Sequence, residues 1–311
     1  MTDKDAESVR LLLRELAADC SVADLAPEDF VELSAAVVGA LPGGLLRAIH
    51  RFRNRGSAHD VLLIRGLPRE DDDLGLTPAS ATADRTVGAQ LRALCLLGVT
   101  GLFGEPFTFG SLYDGRLVQD VVPAPGAESS QTSEGSDSFL DWHVEDAFSD
   151  DRCDYFALLC LRGDPAASTL FCSARRLALD DKWRRVLRQP RFAVVPDVAH
   201  GLVGERLAVP MLAGDDADPE IRFDPLYMEP LDEGDTEARE AMMRLGHAVV
   251  RAAGCHVLEP GDLLVVDNRR VAHARTAFRP RHDGTDRWLM RVMVCASLPR
   301  HRSRGAARTI A

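Results

Sequence analysis

The sequence lacks several features that would define its class at once. No apolar run approaches the roughly 20 residues that a membrane-spanning helix needs, and the residues after Met1 contain no apolar segment of the signal-peptide type. Aspartate and glutamate (48) outnumber lysine and arginine (37), the formal net charge is -11, and no basic stripe with interleaved aromatic residues is present. We therefore expect no membrane and no nucleic acid among its partners.

Cysteine is also sparse, and its spacing is uninformative in a useful way. The chain has seven cysteines, an odd number, and no C-x-x-C pair. This pattern argues against a disulfide framework or a zinc ribbon, and it favours small buried thiols in a reducing compartment. We therefore expect a cytoplasmic protein.

The length and the periodicity of the chain indicate its architecture. A chain of 311 residues with 46% hydrophobic and 27% charged residues can form a single large domain with a sizeable core. Residues 1–58 have helical spacing, whereas from Gly101 onward the pattern shifts to period two with turns, typical of strands. The basic, Gly- and Ala-rich tail, 301–311, is predicted to be disordered. The stretch 123–138, rich in Ser, Gly, Glu and Pro, is either a linker or a functional loop.

One short segment carries the strongest chemical signal. Within Leu140–Phe148, which alternates apolar and polar residues, His143 and Glu145 lie two positions apart. On a β-strand such residues point to the same side, so they would present an imidazole and a carboxylate to one space. With a third ligand, for which His273 is the candidate, they would form the two-His-one-carboxylate triad that holds non-haem Fe(II) and leaves positions open.

An H-x-E pair alone is weak evidence, because nine histidines and 48 acidic residues will form such pairs by chance. A polar strand edge is the alternative. Three neighbouring segments favour the metal site: the apolar strand 155–161, the buried-type strand 262–266 before His273, and the arginine-bearing strand 286–294. Strands around one metal pocket with helices outside predict a mainly β protein with a double-stranded β-helix core, a jelly roll of the cupin type.

Together these motifs resemble a known family. His143–Phe148, Cys153–Tyr155, Leu158–Arg162, Asp267–Arg275 and Asp283–Arg291 are similar to segments of the clavaminate-synthase-like Fe(II)/2-oxoglutarate oxygenases. Within that group the chain resembles amino-acid hydroxylases of peptide-antibiotic pathways, over about Asp60 to Arg300.

The resemblance implies roles for individual residues in binding the cofactors. His143, Glu145 and His273 would bind Fe(II), which would then chelate 2-oxoglutarate and accept O2. Arg287, fourteen residues after His273, matches the arginine that holds the far carboxylate of 2-oxoglutarate. Thr169 stands where the group often has a hydroxyl that touches the same molecule. A carboxylate ligand at Glu145 argues against a halogenase, which would need that position open for chloride.

The resemblance also implies a set of substrate contacts. Arg291 matches an arginine that contacts the substrate carboxylate, and Asp224 matches a lid aspartate that pairs with the α-ammonium group of a free amino acid. Gln119 and Ser133 match polar residues that contact the substrate, and Glu145 is also expected to border the substrate. In arginine hydroxylases a second aspartate follows two residues after the first, but here Leu226 stands at that place. Because a buried guanidinium needs a carboxylate, a neutral or less cationic side chain is favoured.

The resemblance predicts hydroxylation of an unactivated carbon of a free amino acid such as arginine or a relative, with C3 as the expected position. Three alternatives stay open: a desaturase or cyclase outcome, an oxygenase that acts on a carrier-tethered residue, and a non-enzymatic, cupin-like metal protein that binds a small molecule. The sequence carries no indication of the oligomeric state.

Overall fold

Two large antiparallel sheets organise the computed structural model, which describes residues 1–19, 25–69, 73–195, 207–298 and 308–310. The α-helices are α1 (Asp3–Asp19), α2 (Pro27–Ser34), α3 (Gly43–Arg55), α4 (Val87–Thr100), α5 (Asp181–Leu187) and α6 (Thr236–Ala252). The strands are β1 (Val61–Ile64), β2 (Glu105–Phe109), β3 (Val118–Val121), β4 (Leu140–His143), β5 (Tyr155–Arg162), β6 (Ser168–Ser173), β7 (Phe192–Val194), β8 (Leu207–Val209), β9 (Leu212–Gly214), β10 (Pro219–Ile221), β11 (Met228–Pro230), β12 (Gly254–Val257), β13 (Leu263–Asp267), β14 (Val271–Arg275), β15 (Trp288–Cys295) and β16 (Thr309–Ile310).

The larger sheet has seven strands in the order β1-β13-β5-β15-β2-β16, with β3 also paired to β15. Its central strands β13 and β15 are buried along their whole length, as expected for continuous apolar runs covered on both faces. Helix α4 packs against one face, and all but two of its residues are buried. This agrees with its sequence, because a helix that is apolar all round must be buried. The side chain of Thr86 caps α4 by accepting a hydrogen bond from the Ala89 N–H (3.2 Å), so the helix starts at Val87.

The smaller sheet has four strands in the order β12-β6-β14-β4. Helix α6 lies against β6, and Ala241, Leu245 and Val249 from its apolar face are fully buried. A further hydrophobic cluster contains Phe156 of the larger sheet together with Phe171 and Val271 of the smaller one, so apolar side chains fill the space between the two sheets. The protein is thus built mainly from sheets with helices around them. The site described below opens between the same two sheets.

Two findings bear on the expected cellular setting. Within the described ranges no single helix is long and apolar enough to cross a membrane, although the bent pair Pro27–Ala40 and Gly43–Arg55 passes by length and composition. The six described cysteines are all free thiols, and only Cys255 among them is exposed.

The predicted disorder of 301–311 is wrong for the part of this tail that the structure describes; residues 301–307 and 311 lie outside the described residues. Thr309 and Ile310 pair in parallel with Thr108 and Phe109 of β2, and Ile310 is only 5% exposed. Arg308 forms ion pairs with Glu28 (2.7 Å) and Glu105 (2.9 Å). A basic, Gly/Ala-rich composition concealed one apolar residue that a sheet edge could bury.

This pairing predicts that Ile310→Ala lowers the free energy of unfolding by about 1.5–3 kcal/mol, the usual contribution of one buried aliphatic side chain. Urea denaturation would measure it, with Val250→Ala as the control because Val250 is 59% exposed. Equal effects of the two substitutions would show that β16 does not pack as described.

Candidate active site

Three side chains converge between the sheets. Donor atoms of His143, Glu145 and His273 all lie within 4.8 Å of one another. His143 ends β4, and His273 sits directly opposite it on β14, with ring centroids 4.1 Å apart. The two histidines therefore meet because their strands are neighbours in register, although 130 positions separate them in sequence.

Glu145 reaches this position differently from the sequence-based expectation. Strand β4 ends at His143, so Glu145 lies in the following turn instead of two positions along the same strand. Asn268, which is fully buried, holds that turn: its side-chain oxygen accepts from the Glu145 N–H (3.0 Å), and its Nδ2 donates to the Glu145 carbonyl (3.1 Å). The same Nδ2 also donates to the Cys153 carbonyl (3.1 Å). The sequence does not predict Asn268 as a site residue; the one indication of its importance is that it lies within the Asp267–Arg275 motif.

The carboxylate of Glu145 also receives a buried cation. Arg291 Nη1 lies 2.9 Å from both Glu145 oxygens, and Arg291 Nε donates to Gln119 Oε1 (2.9 Å). Burial alone would raise the pKa of Glu145. Arg291 and His273 lower it by more than burial raises it, so the pKa of Glu145 lies well below its ordinary value. Burial and the neighbouring His273 lower the pKa of His143. Both residues are thus held in the forms, carboxylate and neutral imidazole, that bind metal ions.

The donor set fits a ferrous ion. His143 Nδ1 donates to the Asp141 carbonyl (2.8 Å), which fixes the tautomer and leaves Nε2 free to ligate, an arrangement common behind metal-bound histidines. His273 Nε2 lies 3.4 Å from Glu145 Oε1, and its Nδ1 is buried with no hydrogen-bond partner. Two imidazoles and one carboxylate on one side of an ion leave the other positions for exogenous ligands.

The pocket around the triad contains a second cation of a different kind. Arg287 precedes β15, lines the pocket and is 6% exposed. Among the described residues it has no hydrogen bond or ion pair, and the centroid of the Phe278 ring lies 5.7 Å from its guanidinium carbon. Burial lowers the pKa of Arg287 to about 10, so the group stays charged at neutral pH. A buried guanidinium without a counter-ion is costly, and a carboxylate entering the pocket would satisfy it.

Thr169 and Arg275 face the same pocket from the smaller sheet. Thr169 on β6 is paired in register with Arg275 on β14. Arg275 is occupied, because Nη1 donates to the Gly135 carbonyl (2.5 Å) and Nη2 to the Ser138 carbonyl (3.3 Å). The loop 123–138 is therefore fastened to the metal-bearing sheet and forms part of the pocket wall.

The other predicted substrate residues fall into two groups. Ser133, Asp224, Glu145 and Arg291 line the pocket. Gln119 is not among the lining residues; it is 1% exposed, and its amide lies between Arg291 and the Thr108 hydroxyl (3.3 Å). This geometry suits a residue that positions Arg291. Direct contact between Gln119 and a substrate stays a prediction.

Two residues that line the pocket, Asp141 and Tyr113, are not predicted from the sequence as candidate site residues. Asp141 lines the pocket one residue before Trp142, and its N–H donates to Gln131 Oε1 (3.0 Å). Tyr113 also lines the pocket, and its hydroxyl forms a hydrogen bond with the hydroxyl of Ser133 on the same side. These contacts depend on how the loop 123–138 folds back, which no local pattern in the sequence reveals.

With this geometry in place, comparison with known proteins identifies the family. The chain belongs to the TauD/TfdA family: the model described as "Taurine catabolism dioxygenase TauD, TfdA family" matches residues 47–293. It is therefore an oxidoreductase of the dioxygenase type.

Characterised relatives and solved structures match over nearly the whole chain. L-asparagine oxygenase of Streptomyces coelicolor is 38% identical, covering 97% of this chain and 91% of its own; enduracididine beta-hydroxylase of Streptomyces hygroscopicus is 36% identical, covering 86% of each. The structure of the non-haem iron oxygenase OrfP with Fe, succinate and (3S)-hydroxy-L-Arg superposes with a TM-score of 0.93 at 30% identity, covering 100% of this chain and 98% of its own. Asparagine oxygenase with Fe(II), (2S,3S)-3-hydroxyasparagine and succinate gives a TM-score of 0.89 at 35% identity, with the same two coverages.

The role of Asn268 in holding Glu145 is testable. Asn268→Leu removes both hydrogen bonds to the Glu145 peptide while keeping the residue's approximate volume, and we expect metal affinity to fall about 10- to 100-fold, the usual effect of losing a group that orients a ligand. Titration with Mn(II), followed by electron paramagnetic resonance, would measure it. Asn268→Asp, which can still accept from the Glu145 N–H, should lose less. Unchanged metal affinity in a folded Asn268→Leu variant would remove Asn268 from the site.

Proposed function

We propose that the protein is an Fe(II)- and 2-oxoglutarate-dependent oxygenase that hydroxylates C3 of a free amino acid with a neutral or less cationic side chain. One observation carries the proposal. The His143–Glu145–His273 cluster opens into a pocket that also contains the buried guanidinium of Arg287, which has no partner among the described residues.

The residues assign the cofactors as follows. Fe(II), held by His143, Glu145 and His273, supplies the oxidation of a carbon–hydrogen bond by O2 while 2-oxoglutarate is converted to succinate and CO2. Arg287 binds the far carboxylate of 2-oxoglutarate with its planar fork, and the Thr169 hydroxyl contacts the same molecule. Because both groups are buried, they bind 2-oxoglutarate in a site with little water and strengthen its orientation toward the metal.

The amino acid is held at its two backbone charges. Arg291 uses Nε for Gln119 and Nη1 for Glu145, while its Nη2 has no hydrogen bond among the described residues and is left for the substrate carboxylate. Asp224, on the opposite arm of the pocket, attracts the α-ammonium group. Gln119 positions Arg291, and Ser133 contributes a polar contact from the loop 123–138.

The side-chain end of the pocket supports the neutral preference. Leu226, which is 51% exposed, lines the pocket two residues after Asp224, where arginine hydroxylases have a second carboxylate. A guanidinium seated there would lack that carboxylate partner, which disfavours a cationic side chain. An amide side chain, as in the 3-hydroxyasparagine of the related crystal structure, needs only neutral hydrogen-bond partners.

The remaining features follow from the same proposal. We infer that the chain forms a single oxygenase domain with a double-stranded β-helix core; in support, β1 and β16, from opposite ends of the described chain, both belong to the seven-stranded sheet. Free thiols and a ferrous centre suit a reducing cytoplasm. Relatives such as enduracididine beta-hydroxylase point to specialised metabolism of the peptide-antibiotic type.

The direct test is turnover. The protein is loaded anaerobically with Fe(II) and 2-oxoglutarate, exposed to O2 with each of a panel of free amino acids, and assayed for succinate and for a product that has gained one oxygen atom. We expect asparagine or another neutral amino acid to give the 3-hydroxy product faster than arginine, ornithine or lysine. Preference for arginine would overturn the reading of Leu226.

The other outcomes separate the alternatives. A product that has lost two hydrogens indicates desaturation or cyclisation. Succinate with no modified free amino acid, but with product from a residue tethered to a carrier protein, would transfer the substrate to the tethered class. Bound iron without succinate under any condition would leave a metal-dependent small-molecule binder.

The assignment of Arg287 predicts a selective defect. Arg287→Met should weaken 2-oxoglutarate binding by about 2–5 kcal/mol, about 30-fold to several thousandfold, because one partner of a buried charge pair is lost. The KM for 2-oxoglutarate would measure it, with the exposed Arg279→Met as a matched control. An unchanged KM would move the 2-oxoglutarate carboxylate to another cation.

A further inference from the structure

A second cavity, of about 320 Å³, lies apart from the active site and shares no lining residue with it. It is bounded by the turn that contains Asp150 and Arg152, by the segment from β8 to β9, and by Ile221 and Arg222 at the end of β10. Arg269 closes another side. Three guanidinium groups thus surround one space.

The most buried of the three lacks a counter-ion. Arg152 is 3% exposed, and its Nη2 donates to the Ile221 carbonyl (3.2 Å), but its Nε and Nη1 are buried without any hydrogen-bond partner. No ion pair joins Arg152 to a carboxylate among the described residues. Burial, together with the nearby charges of Arg222 and Arg269, lowers the pKa of Arg152 to about 9.

The two neighbouring guanidinium groups do not relieve this charge. Arg222 Nη2 pairs with Asp150 (2.6 Å), yet its Nη1 is also buried and without a partner. Arg269 pairs with Asp154 (2.9 Å) and donates to the Arg152 carbonyl (3.1 Å), so it fixes the backbone of the turn. Glu220 also lines the cavity and attracts Arg152, but the two form no ion pair.

We propose that this cavity is a binding site for a small oxyanion, a phosphate or carboxylate group, held by Arg152 and Arg222. Three buried guanidinium nitrogens, Nε and Nη1 of Arg152 and Nη1 of Arg222, have no acceptor, and they are the donors that such an anion requires. Planar guanidinium groups suit either anion because both accept two parallel hydrogen bonds. The site does not depend on the activity proposed above.

The cavity lies next to the chain segment that carries Asp224 into the active-site pocket. Arg222 is followed by Phe223, whose carbonyl accepts from the Val144 N–H (2.9 Å) between the metal ligands, and then by Asp224. An anion that bridges Arg152 and Arg222 would therefore join the turn after Glu145 to the segment that carries Asp224. Occupancy should order both segments together.

The test uses thermal unfolding of the full-length, metal-free chain at constant ionic strength, with inorganic phosphate and acetate as separate probes and chloride as the reference. When the anion concentration is about ten times its dissociation constant, we expect the bound anion to raise the Tm by about 2–4 °C. The shift should persist in Arg287→Met, which removes the active-site cation, and in Arg188→Met, a half-buried arginine paired with exposed Asp216. It should disappear in Arg152→Met.

Two further results decide the proposal. Without added anion, Arg152→Met should be at least as stable as the wild type, because an unpaired buried charge has been removed. Ala208→Asp keeps Arg152 but places a carboxylate on the cavity wall, so it should also abolish the phosphate shift, and it serves if Arg152→Met fails to fold. A shift with only one probe identifies the anion class. No shift above chloride in the wild type, or an equal shift in Arg152→Met or Ala208→Asp, would overturn the proposal.

Discussion

The buried carboxylate of Glu145 is the constraint on which the site depends. It follows β4 of the smaller sheet, and it is paired through both oxygens with Arg291 of β15 in the larger sheet. Taking two charges out of water is costly unless both are well hydrogen-bonded. Here Gln119 accepts a further hydrogen bond from Arg291, and Asn268 fixes the peptide group of Glu145 so that its carboxylate stays in place. The pair therefore fixes the distance between the sheets at the place where the two histidines meet. Removing either member would leave an uncompensated charge in the core.

The three arginines that line the pocket differ in what they already bind. Arg291 is engaged by the carboxylate of Glu145 and the amide of Gln119, whereas Arg287, four residues earlier and just before β15, forms no ion pair among the described residues. Arg275 is engaged again, by carbonyls of the loop 123–138. In the proposed function, Arg287 is therefore left for the far carboxylate of 2-oxoglutarate. Arg291 offers only its Nη2 to the substrate, and Arg275 builds the pocket wall. A carboxylate ligand binds most favourably to the cation that is not already paired with a carboxylate of the protein.

The sequence was sufficient for those features that depend on residue type at a fixed spacing. His143, Glu145 and His273 are recognisable from an H-x-E pair and a distant histidine, and the three side chains do meet, although Glu145 comes from the turn after β4 and not from the strand itself. The central strands were predictable from continuous apolar runs. What the sequence could not supply were contacts made by tertiary folding: Asn268 holding the Glu145 turn, Gln119 lying behind Arg291, and Ile310 returning to pair with β2. A single buried amide or one apolar residue in a basic tail has no periodicity to reveal it.

The measurement that tests this account most directly is 2-oxoglutarate binding by anaerobic calorimetry, with and without Fe(II). Because the metal and Arg287 would hold opposite ends of the same molecule, linking the two contacts should strengthen binding by at least about tenfold when Fe(II) is present. His143→Ala should remove that increase while leaving the weak, metal-independent binding to Arg287. Equal affinity with and without Fe(II) in the wild-type protein would contradict the account, because the triad would then take no part in holding the cosubstrate.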